Sequence, residues 1–261
     1  MNSLTKRILT AMALIPLAVW WLLYMPSPWF EWVMLAVAML ASVELIRLLG
    51  LPRQLAFSAS ALAALALLIL GKQPLSALVL LLFIWLLLSG FSIAENGLPE
   101  RFRQLVHAQW MFVWLFLCVW TISEIHAYSN GHIFIAIACA GIWAADIGAY
   151  AIGKSMGKHK LCPQISPGKT VEGLLAAFAI GAPVTAVMWT WLLPISILKS
   201  FTLAVLLIAA GVVGDLAESA LKRCVGVKDS GSLLPGHGGI LDRIDALIVA
   251  LPVTCMAWVS I

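Results

Sequence analysis

The sequence predicts an all-α, polytopic integral membrane protein of about nine transmembrane helices with its N-terminus in the cytoplasm. Three observations predict it. Hydrophobic residues make up 62% of the 261-residue chain and charged residues only 11%, with a mean hydropathy of +1.02. A domain that faces water carries roughly 25% charged residues, so the main solvent of this chain is lipid. Apolar runs long enough to cross a hydrocarbon core of about 30 Å recur along the whole sequence. The basic residues also segregate between alternate loops, as cytoplasmic retention of Lys and Arg requires.

The runs lie near residues 8–25, 29–49, 54–71, 75–92, 105–127, 131–152, 172–193, 200–222 and 241–260. Turn-forming residues punctuate them: Pro26 and Pro28, Gly50 and Pro52, Gly71 to Pro74, Gly97 and Pro99, Asn130 and Gly131, and Pro194. With the N-terminus inside, every one of the 16 Lys and Arg residues except Lys72 and Lys199 falls on the cytoplasmic side. Moving one span would scramble that separation. Lys6 and Arg7 before the first run resemble a signal peptide, but no small-x-small cleavage site follows near residues 25–28, so the first run reads as an uncleaved helix. The 12 tryptophans suit membrane interfaces. The net charge of +4 is spread over short loops and reports topology, so no nucleic-acid partner is expected. The five cysteines form no CxxC pair and read as small buried hydrophobes.

The two halves differ. Residues 1–140, about five spans, form a hydrophobic scaffold, and residues 141–261, about four spans with their loops, hold most of the clustered Asp, Lys, Gly and His. Function is expected in the second half. Glu31, Glu44 and Glu124 near span ends read as structural, and His107, His126 and His132 as isolated interfacial or satisfied histidines.

Ionisable groups inside membrane helices are costly and mark functional positions. In the segment 214–223, Asp215, Glu218, Ser219 and Lys222 recur at three- and four-residue steps and share one helix face. Lys228-Asp229 and a glycine-rich stretch, Gly236-His237-Gly238-Gly239, follow; glycines let backbone N–H groups approach phosphate oxygens. Asp242 and Asp245 open the last span one helical turn apart. They read either as caps or, with Asp215, as ligands for a divalent cation, since Mg²⁺ takes one or two carboxylates plus substrate phosphates. Asp146 ends the sixth span, and Ser166-Pro167-Gly168-Lys169-Thr170 opens the seventh with donors suited to phosphate. Gly168-Lys169-Thr170 echoes a P-loop, but Pro163 stands where its first glycine belongs and no strand is predicted before it. No serine or histidine is paired into a nucleophile. Phosphoryl or nucleotidyl transfer needs none, because positioning and charge neutralisation suffice.

The stretch from Ser219 to Asp245 resembles the signature of the phosphatidate cytidylyltransferases, also called CDP-diacylglycerol synthases. Ser219, Leu221, Lys222, Arg223, Lys228, Asp229, Gly231, Leu234, Pro235, His237, Gly238, Gly239, Asp242, Arg243 and Asp245 all fit that pattern. The stretches from Asp146 to Gly157 and from Ser166 to Gly173 are similar to further blocks of the family, with Gly168 standing where a second basic residue is frequent. The resemblance covers residues 141–260 and implies an Mg²⁺-dependent reaction, with room for a second cation, of CTP with phosphatidate to give CDP-diacylglycerol and pyrophosphate. Asp215 and Asp242 are the first choices for metal ligands in that reaction, with Asp146 and Asp245 as candidates for a second cation or for positioning. Asp215, Asp242, Lys222, Arg223 and His237 would be catalytic. Ser166, Lys169, Thr170, Ser219, Lys228, Gly238, Gly239 and Arg243 would hold the substrate phosphates. The enzyme would sit in a bacterial inner membrane with its site facing the cytoplasm, where CTP arrives, and a homodimer is compatible with the chain. The DGxxAR pattern of the CDP-alcohol phosphatidyltransferases is absent. A CTP-dependent lipid-alcohol kinase and an ion-coupled transporter are the alternatives, the latter disfavoured because the charges crowd at one membrane face.

Overall fold

The computed structural model of the protein describes residues 12, 16–51, 98–231, 233 and 238–260. A helical stretch over residues 16–24 precedes α1 (Ser27–Leu48), α2 (Leu98–Ala127) and α3 (Gly131–Met156). A ribbon of two strands follows, β1 (Lys160–Cys162) and β2 (Ser166–Thr170), and then α4 (Val171–Leu192), α5 (Ile197–Cys224) and α6 (Leu241–Ser260). Each of the six labelled helices is long and apolar enough to cross a membrane. They coincide with the sequence-predicted spans near 29–49, 105–127, 131–152, 172–193, 200–222 and 241–260. The expected spans near 54–71 and 75–92, most of the one near 8–25, and His237 lie outside the described residues.

The mostly helical architecture is consistent with the all-α expectation, but the expectation that no strand precedes Gly168-Lys169-Thr170 is corrected. Lys160 pairs with Thr170 and Cys162 with Ser166 in a short antiparallel ribbon, so a strand does lead into α4. A three-residue strand beside Pro163 carries no readable period-two alternation, which is why the pattern predicts a turn. The ribbon still differs from a P-loop, where a parallel strand and five residues with a leading glycine are required.

Apolar composition all round each helix is what lipid demands, and the packing surfaces are chosen by small residues. A side chain at Gly148 would strike Ile180, one at Gly181 would strike Ala145, and one at Gly141 would strike Thr185. Such small positions let α3 and α4 approach closely, the usual means of helix association in membranes. Pro183 and Pro252 lie inside α4 and α6, as spanning helices tolerate. Toward one end of the bundle Trp189 is fully buried, stacked on Phe134 at 4.5 Å, and donates from Nε1 to the Phe134 carbonyl at 3.2 Å. Trp191 and Leu198, by contrast, are 83% and 74% exposed, an apolar exterior suited to acyl chains.

The C-terminal ends of α1, α3 and α5 and the N-terminal ends of α4 and α6 meet at the opposite, loop-rich end, because consecutive helices run antiparallel. There Thr170 caps α4: its Oγ1 accepts the Gly173 N–H at 3.1 Å, and the residue is 5% exposed. Gly153, Gly157 and Gly173 crowd that same hydroxyl. Thr170→Ala is therefore expected to lose about 1 kcal/mol of stability, read as a lower unfolding midpoint of the detergent-solubilised protein.

Candidate active site

The loop-rich end gathers acids and lysines that the sequence scatters over nearly a hundred residues. Lys169, delivered by β2, forms an ion pair with Asp215 on α5. Ser219, one turn further along α5, donates to Asp215 Oδ1 at 3.3 Å. Asp215 and Lys169 line a cavity of about 620 Å³ together with Asp146, Ser166 and Thr170. Tyr150, Lys154 and Lys160 stand on its polar side, and Ile142, Leu174, Ala177, Ile208 and Val212 supply an apolar wall between α3, α4 and α5.

A second network adjoins this cavity. Lys222 is buried and its Nζ meets two carboxylates, Asp242 Oδ1 at 2.7 Å and Glu218 Oε2 at 2.5 Å. Asp242 also accepts backbone N–H groups from Ser230 at 3.0 Å and Gly239 at 2.9 Å on Oδ2. Ser230 and Gly239 are thus fastened to one carboxylate at the start of α6. Gly238 adopts φ +85°, a left-handed backbone that only glycine enters freely, and a side chain there would strike Asp242 Oδ2. Asp215 lies within electrostatic reach of Asp146, Glu218 and Asp245, which links the two networks.

The sequence-predicted residues separate into groups. Asp146, Ser166, Lys169, Thr170 and Asp215 surround the cavity, with Ser219 joined to it through Asp215. Lys222, Asp242 and Gly239 form the adjoining clamp, in which the Gly239 N–H points at Asp242. Asp245 Oδ1 accepts the neighbouring Ala246 N–H at 2.8 Å. Arg223 is exposed and reaches back to the ribbon, donating from Nε to the Ile165 carbonyl at 3.1 Å and from Nη1 to the Val227 carbonyl at 3.0 Å. Lys228 and Arg243 are exposed at the same end. Glu218 belongs to the clamp although the motif reading gave it no site role. Its i,i+4 spacing to Lys222 was the signal for it. Glu44 of α1 also reaches this end, and nothing in its own segment announces that. On the far side of the ribbon, Glu172 Oε1 pairs with His159 Nδ1 at 2.6 Å.

A membrane-spanning helical bundle whose one end holds paired acids and lysines around a cavity with a largely apolar lining defines a class: an enzyme working on a phosphorylated substrate at the bilayer surface. Residues 5–261 match the model of the Cytidylyltransferase family, and the chain belongs to that family. A Pseudomonas aeruginosa phosphatidate cytidylyltransferase is 34% identical over 98% of both chains. A Bacillus subtilis phosphatidate cytidylyltransferase is 49% identical over 124 residues, which is 47% of this chain and 46% of that protein. A Staphylococcus saprophyticus phosphatidate cytidylyltransferase is 46% identical over 125 residues, 48% of each. The chain thus matches the Pseudomonas relative throughout, and about half the length of the Bacillus and Staphylococcus relatives.

Proposed function

We propose that the loop-rich end transfers the cytidylyl group of CTP to phosphatidate, forming CDP-diacylglycerol and releasing pyrophosphate, at the cytoplasmic face of a bacterial inner membrane. Family membership and the full-length relative support the activity. The observation that carries the mechanism is the cavity, where Asp215, Lys169 and Asp146 face an apolar wall in one enclosure. A lipid phosphate needs both surfaces: cations and hydroxyls for its head, and apolar helix flanks for the first carbons of its chains.

The donor set fits a hard divalent cation. Asp146, Asp215, Glu218, Asp242 and Asp245 gather at this end, where Lys169 pairs with Asp215 and Lys222 with Glu218 and Asp242. Carboxylates suit Mg²⁺, which takes one or two of them and completes its shell with water and phosphate oxygens. Asp215 and Asp146, which line the cavity, would hold it, with Asp242 and Asp245 as further candidate ligands on α6. Once bound it would neutralise charge on the triphosphate and polarise the α-phosphorus.

The chain's own residues do the rest. Lys169 and Ser166 hold phosphate oxygens at the mouth of the cavity, and Ser219 fixes the rotamer of Asp215. A phosphatidate oxygen attacks the α-phosphorus, the bond to the β-phosphate oxygen breaks in line, and pyrophosphate leaves toward the lysine-rich surface of Lys154 and Lys160. No protein group is covalently modified.

Purified protein is expected to incorporate labelled CTP into lipid only when phosphatidate and Mg²⁺ are both supplied, with one pyrophosphate released per lipid formed. Release of CDP with a free lipid alcohol would instead establish a kinase. Ion flux without turnover would establish a transporter.

A further inference from the structure

We infer that Glu44, on a helix of the N-terminal half, is a positioning residue for the transfer reaction, holding Gly231 and Gly239 against the start of α6. The inference rests on the reading that these glycines and Asp242 serve the transfer. Three observations carry it. Glu44 is 7% exposed, and its Oε2 accepts the Leu241 N–H at 2.9 Å, across 197 residues of sequence. That N–H belongs to the first residue of α6, one of the donors that a helix start leaves without an intrahelical acceptor. A negative charge there is also favoured by the helix dipole. Finally, side chains built at Gly231 and at Gly239 would both collide with the Glu44 carboxyl group. The backbone at these two glycines therefore lies directly on this carboxylate.

Glu44 and Asp242 act on the same two chain segments. Asp242 takes the N–H groups of Ser230 and Gly239. Glu44 occupies the space beside Gly231 and Gly239 and takes the next available N–H, that of Leu241. Two of the signature glycines thus have a stated reason that is independent of phosphate: a Cβ would displace Glu44. Gly231 is the cleaner reporter, because the three atoms nearest a Cβ at that position all belong to Glu44.

The test is a double-mutant cycle on full-length protein in detergent or nanodiscs, assayed for CTP incorporation with the wild type alongside. Wild-type turnover tests the activity itself, and the variants test only Glu44. Glu44→Ala should lower kcat on the order of 10²-fold, the cost of misplacing reacting groups by about an ångström, while KM for CTP is unchanged. Glu44→Gln, which keeps an acceptor for Leu241, should retain most of the turnover. Gly231→Ala should lower kcat in the wild-type background and much less in the Glu44→Ala background, the coupling expected of residues in direct contact. Wild-type kcat in folded Glu44→Ala protein, or equal losses from Gly231→Ala in both backgrounds, would overturn the inference. If Glu44→Ala does not stay monodisperse, Gly231→Ala and Glu44→Gln decide. Loss in the first with retention in the second supports it, and any other pairing overturns it.

Discussion

Asp215→Asn, purified in folded form, is expected to turn over CTP and phosphatidate at least on the order of 10²–10³-fold more slowly than the wild type, the range seen when one preorganised electrostatic group is removed. The substitution is nearly isosteric. Asn can still accept the Ser219 hydroxyl, so the local helix should stand. It does remove the charge that faces Lys169 and Asp146 across the cavity. Two effects then add. A candidate cation ligand is lost, and Lys169 no longer has a carboxylate to hold its ammonium group in place. The Mg²⁺ dependence of the residual rate should move to higher concentration. Measuring kcat against Mg²⁺ for both proteins checks this, and wild-type rates with an unchanged Mg²⁺ profile would remove Asp215 from the mechanism.

Lys222→Met should have the largest effect on folding. The ammonium group is the shared partner of Glu218 and Asp242, with side-chain exposures of 9%, 1% and 6% for the three residues. Removing one member of a buried ion pair costs about 3–5 kcal/mol, because the remaining charge is left uncompensated. Here two acids are left facing one another. The expected result is a strongly lowered unfolding midpoint and loss of monodisperse protein on size exclusion. Combining Lys222→Met with Glu218→Gln should recover part of the midpoint, since only Asp242 then remains charged in the network. Activity should not return with it, because Asp242 would still lack the partner that holds it toward the loop. An unchanged midpoint in Lys222→Met would show that water, and not Lys222, compensates the acids.

The bundle was legible because lipid imposes a long-period constraint that residues such as Trp29, Ile133 or Leu203 declare independently of their neighbours. The face of Asp215, Glu218, Ser219 and Lys222 was legible for the same reason: helical spacing is a local property, and all four belong to one helix. The pairing of Lys169 with Asp215 was not, since 46 residues separate them and a sequence states no partner at that range. Arg223 shows a different gap. The resemblance names it as catalytic, whereas the hydrogen bonds of its guanidinium to two backbone carbonyls could not be read in advance, because carbonyls leave no mark in a residue pattern. Glu44 is the sharpest case. A lone acid near the end of an apolar run reads as structural until the backbone it touches is known. Its effect on the signature is visible only as glycines, which have other common explanations.

Ribosomal synthesis delivers α5 to the bilayer before α6, so Lys222 and Glu218 must be accommodated before Asp242 has been made. Their i,i+4 spacing supplies a remedy inside one helix: the two side chains neutralise each other on a single segment, lowering the cost of inserting either charge alone. When α6 arrives it brings Asp242 and converts a self-contained pair into a three-membered joint between helices. The same lysine serves first as an aid to insertion and afterwards as a latch.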